Sequence, residues 1–334
     1  MPAENPATPE KFAYGRALFY DRRLSGNAEQ SCADCHNPAL SFTDARATPT
    51  GSTGDAISRN SMALVNVAWL TSYTWPNPML PTLEDQLLIP MFNDAPVELG
   101  MSGHMDEIGA RLGADADLTA LGEAAFPEED PLDQVSLVYA LATFVRGLIS
   151  SDSAYDRFEY QDDPSGLSDS ALRGMGLFFS ERAECYHCHS GLNFTASFQS
   201  ETSAGSQESF FNTGLYNVDG AGAYPESNQG LYELTGDPAD MGRFRVPTLR
   251  NVAITAPYMH DGSIETLAEV IEHYDRGGRL IEEGPNAGDG ATSPVKSELV
   301  FALGLSEQEK ADLVAFLESL TDPAFLAEPA YASP

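Results

Sequence analysis

The chain has 334 residues, 42% of them hydrophobic and 20% charged, which is enough to bury a core and long enough for two domains. Fifty acidic against eighteen Lys and Arg side chains give a formal charge of −32 (18 − 50), which repels nucleic acid and anionic lipid and either draws in a basic protein partner or serves as a solvating surface suited to a salty environment. No run of about 18 apolar residues occurs, so no membrane-spanning helix is expected, and the start Met1-Pro2-Ala3-Glu4-Asn5 lacks the basic and apolar regions of a secretion signal.

In chain order, Gly15-Arg16-Ala17-Leu18-Phe19-Tyr20-Asp21 reads as the end of an amphipathic helix, followed by a polar turn and Cys32-Ala33-Asp34-Cys35-His36. The period of Val135, Leu137, Val138, Leu141, Phe144 and Val145 predicts a long helix from Asp133 to Ile149 with these residues on one face. A polar break with Pro and Gly, Tyr160 to Gly166, places a boundary between residues 1–160 and 161–334. Asp169 to Phe179 opens the second half as a helix. Its stretch Gly174-Met175-Gly176-Leu177-Phe178-Phe179-Ser180 echoes Gly15 to Asp21 and again precedes a cysteine motif, Cys185-Tyr186-His187-Cys188-His189. The segments Thr195 to Asp240 and Arg279 to Ser293 read as long loops. A terminal helix from Ser306 to Leu320 opens on the capping box Ser306-Glu307-Gln308-Glu309.

The four cysteines of the chain all lie in Cys-x-x-Cys-His. Thiols so spaced add across the two vinyl groups of one haem, and the adjoining histidine reaches the iron. A zinc site or a pair of disulfides would also use cysteines, but neither gives both motif histidines a reason to follow the second Cys. Two covalently bound haem c groups are therefore expected, held by Cys32, Cys35 and His36 and by Cys185, Cys188 and His189. The fold expected is mainly α, two cytochrome c-like haem domains with long loops and little β. Haem attachment of this kind takes place outside the bacterial cytoplasm, so the chain reads as a mature periplasmic form.

The doubled motif, the segment Arg59-Asn60-Ser61-Met62-Ala63-Leu64-Val65-Asn66-Val67 and the segment Val246 to Gly262 resemble the bacterial di-haem cytochrome c peroxidase and MauG superfamily over nearly the whole chain. The resemblance implies that the N-terminal haem meets hydrogen peroxide and the C-terminal haem stores and relays electrons. His36 and His189 are then the proximal ligands. Seventeen residues after Pro257 stands Tyr274, where ordinary peroxidases of the family have a Met, and this resembles the MauG branch. Met259 and His273 are the rival ligands for the second iron. Sixteen residues after His36, where ordinary peroxidases place a distal His, stands Ser52, and no His occurs from Asn37 to Gly103. The first haem is thus expected to be open without prior reduction.

By the same resemblance, Gln86 and Pro90 line the peroxide face, and Glu98 shuttles a proton during O–O cleavage. Trp75 lies between the haems as a relay, with Trp69 assigned to the core. Asn60, with the carbonyls of Thr255 and Pro257, holds a Ca2+ ion. His104 is read as a surface residue, and His260 as holding a propionate or backbone group. The strings Pro81-Thr82-Leu83-Glu84-Asp85-Gln86 and Pro96-Val97-Glu98-Leu99-Gly100 look most like the MbnH subgroup. This implies peroxide-driven oxidation of a residue, a tryptophan, on a partner protein. The alternatives are a detoxifying peroxidase fed by a small cytochrome c or cupredoxin, and an electron carrier without turnover of its own.

Overall fold

The computed structural model describes residues 2–199 and 209–334. In chain order its helices are α1 (Pro9–Tyr20), α2 (Cys32–Cys35), α3 (Leu83–Phe92), α4 (Met105–Gly113), α5 (Ala116–Ala125), α6 (Gln134–Arg146), α7 (Ala154–Tyr160) and α8 (Asp169–Phe178). There follow α9 (Cys185–Cys188), α10 (Tyr232–Thr235), α11 (Leu267–Arg276), α12 (Glu307–Glu318) and α13 (Pro323–Leu326). Strands β1 (Phe210–Phe211) and β2 (Phe244–Arg245) pair antiparallel, as do β3 (Leu280–Ile281) and β4 (Gly288–Asp289). The fold is mainly helical, as expected.

Side-chain caps set the helix starts. Asp133 accepts the Ser136 N–H at 2.7 Å and opens α6; Ser306 and Glu309 form the capping box that opens α12. The internal echo in the sequence has a structural counterpart. Gly15 of α1 faces α6 so closely that a Cβ would lie 2.0 Å from the Ala140 carbonyl oxygen. Gly174 of α8 faces α12, where a Cβ would lie 1.9 Å from the Asp312 carbonyl oxygen. Each repeat thus supplies the one residue that lets its helix cross another at backbone contact.

One core gathers Leu18, Phe19, Phe42, Ile108, Leu141 and Phe144; a second gathers Tyr155, Phe178, Phe194, Leu313 and Phe316. A third, smaller cluster holds Trp75, Tyr216, Tyr224, Phe244 and Ile264. The chain's end crosses back to the first core, where the Phe325 ring sits 5.9 Å from that of Phe42 and Arg16 Nε donates to the Ala332 carbonyl.

Several sequence expectations need correction. Val135 is 55% exposed: at 100° per residue it lies about 200° from Leu137 and 180° from Phe144, opposite the face it was assigned to. Trp69 is 37% exposed and does not belong to the core, because the single 3-10 turn Val67–Trp69 buries Val67 and turns the indole outward. The supposed loop Arg279 to Ser293 contains the β3–β4 hairpin, and Thr195 to Asp240 contains β1 and α10, with residues 200–208 outside the described residues. Pairings of two residues carry too little alternation to be read in advance.

Candidate active site

The two cysteine motifs adopt one geometry. Each forms a single helical turn closed by its histidine, whose N–H donates to the first cysteine's carbonyl at 2.9 Å in both copies. His36 Nδ1 lies 2.7 Å from the Phe42 carbonyl oxygen, and His189 Nδ1 lies 3.0 Å from that of Phe194. A ring nitrogen held by a carbonyl fixes the tautomer and leaves Nε2 to face a metal. Burial keeps both imidazoles neutral, His189 down to about 4. Phe42 and Phe194 reach this position through left-handed backbone, with φ of 62° and 50°. The pair was missed in the sequence, although Phe42-Thr43 and Phe194-Thr195 follow the two motifs at nearly equal distance.

No disulfide joins any of the four cysteines. Among the described residues, the group of His, Cys, Asp or Glu close enough to share a cation is Glu181, Glu184 and His187, which contains no cysteine. The disulfide and zinc readings thus find no support, and the residues present suit thioether-linked haem.

Next to the second motif lies a cavity of about 230 Å³, lined by Cys185, Cys188, His189, Tyr274, Met259, Trp75, Tyr224, Phe244 and Arg245. It brings His189 and Tyr274 into one space. Burial first, then the thiols of Cys188 and Cys185, push the Tyr274 phenol well above its ordinary range. Its hydroxyl has no hydrogen-bond partner among the described residues. Met259 also lines the cavity, whereas His273, with its ring 4.9 Å from that of Tyr274, does not.

Arg245 was not anticipated. It is 4% exposed and donates to the carbonyls of Thr74 and Val246 and to Met62 Sδ, with no carboxylate partner among the described residues. Burial pushes its guanidinium down to about 10. A buried cation in a cavity wall without an internal anion fits a ligand that brings carboxylates, as haem propionates do. His260 stacks on Phe244, ring centroids 3.6 Å apart, and its buried Nε2 has no hydrogen-bond partner among the described residues. His104 is a surface residue, as expected, at the start of α4.

On the first motif's side, α3 carries Gln86 and Pro90. Pro90 has no N–H, so the Gln86 carbonyl loses its helical partner. The end of α3 instead receives the segment bearing Glu98: Leu99 N–H donates to the Pro90 carbonyl and Met101 N–H to the Met91 carbonyl, both at 2.9 Å. The ion pair of Glu84 with buried Arg146, at 2.7 Å, ties α3 to α6. Gln86 Oε1 is buried without a partner among the described residues. Burial pushes the Glu98 carboxyl up, and the group is close enough to raise both Cys32 and Cys35 thiols. A desolvated carboxyl thus stands near the first motif, and Ser52 brings no ring nitrogen there.

Trp75 bridges the two sides. Its Nε1 donates to the Asn60 carbonyl at 2.9 Å, and its own carbonyl accepts the Arg245 N–H at 2.8 Å. The Asn60 side-chain amide donates to the carbonyls of Arg46 and Ala47, leaving its Oδ1 without a partner among the described residues. The carbonyls of Thr255 and Pro257 accept no hydrogen bond among the described residues either. All three residues line the same cavity, so oxygen donors suited to a hard cation are available there.

The chain is similar to known proteins over nearly its whole length. The family model described as di-haem cytochrome c peroxidase matches residues 9–164. The methylamine utilization protein MauG of Methylorubrum extorquens is 35% identical over 98% of this chain and 83% of its own length. The cytochrome-c peroxidase IdrP1 of Denitromonas iodatirespirans is 32% identical over 98% of this chain and 86% of its own. Among solved structures, a MauG-like protein associated with microbial copper homeostasis superposes with a TM-score of 0.97 at 47% identity, covering 100% of this chain and 95% of the other.

Proposed function

Because the chain belongs to the di-haem cytochrome c peroxidase and MauG family, and is therefore a haem oxidoreductase with two c-type haems, we propose that it uses peroxide to oxidise a residue, a tryptophan, of a partner protein. The observation that carries this reading is the asymmetry of the two sides. Glu98 stands close to Cys32 and Cys35 of the first motif, in a segment hydrogen-bonded to the end of the helix that carries Gln86, and no histidine occurs from Asn37 to Gly103, while Tyr274 shares a cavity with His189. Bound haems supply the redox-active iron that accepts peroxide.

The chain's own residues do the rest. His36 and His189 present Nε2 to the irons, and Tyr274 offers a hard phenolate oxygen to the second. Glu98 takes a proton from the nearer peroxide oxygen and returns it to the farther one. Gln86 and Pro90 shape the face on which peroxide binds. Trp75, fixed at both its indole N–H and its carbonyl, passes oxidising equivalents between the two sides. Asn60, Thr255 and Pro257 hold Ca2+ beside it. Residues 1–160 and 161–334 form most of the two haem domains, with Tyr155 joining the second core and the Phe325 end the first, in the periplasm, and the acidic surface steers a basic partner.

Electron paramagnetic resonance of the ferric protein before and after peroxide tests the asymmetry. A high-spin first centre that is consumed by peroxide without prior reduction is expected; a fully oxidised protein indifferent to peroxide overturns the reading. The similarity to a cytochrome-c peroxidase supports a second reading, in which a small cytochrome c or cupredoxin feeds electrons to peroxide. Rapid, sustained turnover with reduced cytochrome c decides for it.

A further inference from the structure

The third core cluster contains a pair of tyrosines that the function above does not use. Tyr224, 4% exposed, lines the cavity that also holds Tyr274, and its hydroxyl raises the Tyr274 phenol by proximity. The ring of Tyr216, 6% exposed, stands 5.4 Å from that of Tyr224, edge to face. Tyr216 in turn donates its hydroxyl proton to Asp261 Oδ2 at 2.6 Å. Among the described residues it is the one buried tyrosine whose hydroxyl meets a carboxylate; Tyr14, Tyr20 and Tyr258 donate to backbone carbonyls, and Tyr224 to the Asn212 amide oxygen.

A phenol that loses an electron becomes a strong acid, so a buried tyrosine is oxidised readily only if a base within hydrogen-bond reach takes its proton. A carbonyl or amide oxygen cannot do so. Asp261 can, and its other oxygen is already anchored by the Ser263 N–H at 3.1 Å. At rest the proton stays on Tyr216, whose phenol burial and Asp261 together push up to about 12.

We propose that Tyr224 and Tyr216 form a side branch for oxidising equivalents, in which Tyr216 gives up an electron through Tyr224 and its proton to Asp261. The branch rests on the peroxide-dependent reading above. Hydrogen peroxide is the oxidant: it takes two electrons and two protons to give two waters; when no partner protein supplies them, Tyr216 supplies one electron, an external one-electron reductant supplies the second, and both protons come from solvent. The Tyr216 O–H bond breaks, the proton forms a new O–H bond on Asp261, and the neutral phenoxyl radical remains. Tyr216 is restored when an external reductant returns one electron and Asp261 returns the proton. Such a branch spares Trp75 and the cavity walls from an unspent oxidant.

The test is rapid-freeze electron paramagnetic resonance of the holoprotein after one equivalent of peroxide, without partner protein, using cells grown on natural or ring-deuterated tyrosine. A radical signal that narrows on deuteration is expected, and it disappears in Tyr216→Phe. In Asp261→Asn, which keeps an acceptor oxygen but not a base, the signal forms about 10²-fold more slowly. In both variants the first optical change with peroxide keeps its parent rate. A parent that does not react with peroxide overturns the underlying reading and the branch with it. A parent that reacts, but whose radical is unaltered by Tyr216→Phe, overturns the branch alone.

Discussion

The backbone N–H of Ser52 donates to the carbonyl oxygen of Glu98 at 2.7 Å. Ser52 stands sixteen residues after His36, so the loop that follows the first motif is here fastened to the segment that carries Glu98, the proposed acid. Two neighbours reinforce the joint. Asp55 Oδ2 accepts the Val97 N–H at 3.1 Å, and Gly51 packs so close that a Cβ would stand 1.7 Å from the Val97 carbonyl oxygen. Gly51→Ala must therefore push residues 97 and 98 away. The expected outcome is a protein with both haems attached but a peroxide reaction slowed toward that of Glu98→Gln, about 10²–10⁴-fold, by stopped-flow absorbance.

The pH profile of the same reaction follows from the burial of Glu98. Desolvation raises its carboxyl, so the proton-accepting carboxylate appears only as pH climbs above the ordinary carboxylate range. The peroxide rate should rise with pH through that raised value, and the rise should be absent in Glu98→Gln. A profile unchanged by the substitution would remove Glu98 from the proton path.

Tyr274→Met replaces a hard oxygen donor with a thioether. Sulfur ligation raises reduction potential, so redox titration should move the second centre upward, and its spectrum should shift toward that of a His/Met haem. Because Met259 lines the same cavity, Tyr274→Phe is the informative control. If that variant keeps the parent spectrum, Tyr274 is not the ligand.

Much of the fold and site was legible because it is carried by spacing. The cysteine motifs, the long helix α6 and the capping box of α12 follow from periods and short signatures. What was not legible depends on contacts between distant segments. Arg245 looks ordinary in sequence and becomes notable only once Met62, Thr74 and Val246 surround it, with no acid among the described residues bonded to it. Trp69 and Trp75, six residues apart, differ in burial because of what packs on each, which no local pattern encodes. Gly15 and Gly174 were visible as an echo, but their shared purpose appears only when Ala140 and Asp312 arrive opposite them.

Behind the second haem motif, Asp156 and Arg250 form a doubly hydrogen-bonded pair at 2.8 and 2.9 Å, both side chains almost wholly buried. Arg250 Nε also donates to the Leu192 carbonyl at 2.8 Å, which ties the pair to the loop whose Phe194 carbonyl holds His189. Burial alone would raise the Asp156 carboxyl, but Arg250 and Ser153 outweigh it and hold the group below the usual range. With a folded pKa below the unfolded one, the stabilisation is complete above the ordinary carboxylate value of about 4 and fades as pH falls through it toward the depressed value. Asp156→Asn leaves the guanidinium buried without a counter-charge and should cost about 3–5 kcal/mol in chemical denaturation at neutral pH. The variant's loss relative to the parent should shrink as both are titrated to acid.

Calcium removal gives a separate test of the joint between the two sides. Asn60 offers its side-chain oxygen to the proposed ion while its backbone carbonyl accepts the Trp75 indole N–H at 2.9 Å, so the two interactions share one residue. Emptying the site frees Asn60, and the indole loses a fixed acceptor. Chelation should therefore alter Trp75 fluorescence and slow electron exchange between the haems, leaving the peroxide face near Glu98 intact. Calcium should restore both signals and magnesium should not, since the smaller ion demands tighter octahedral geometry than a mixed set of carbonyls and water supplies. Fluorescence and exchange rates indifferent to chelation would mean that Asn60 is held by Arg46 and Ala47 alone.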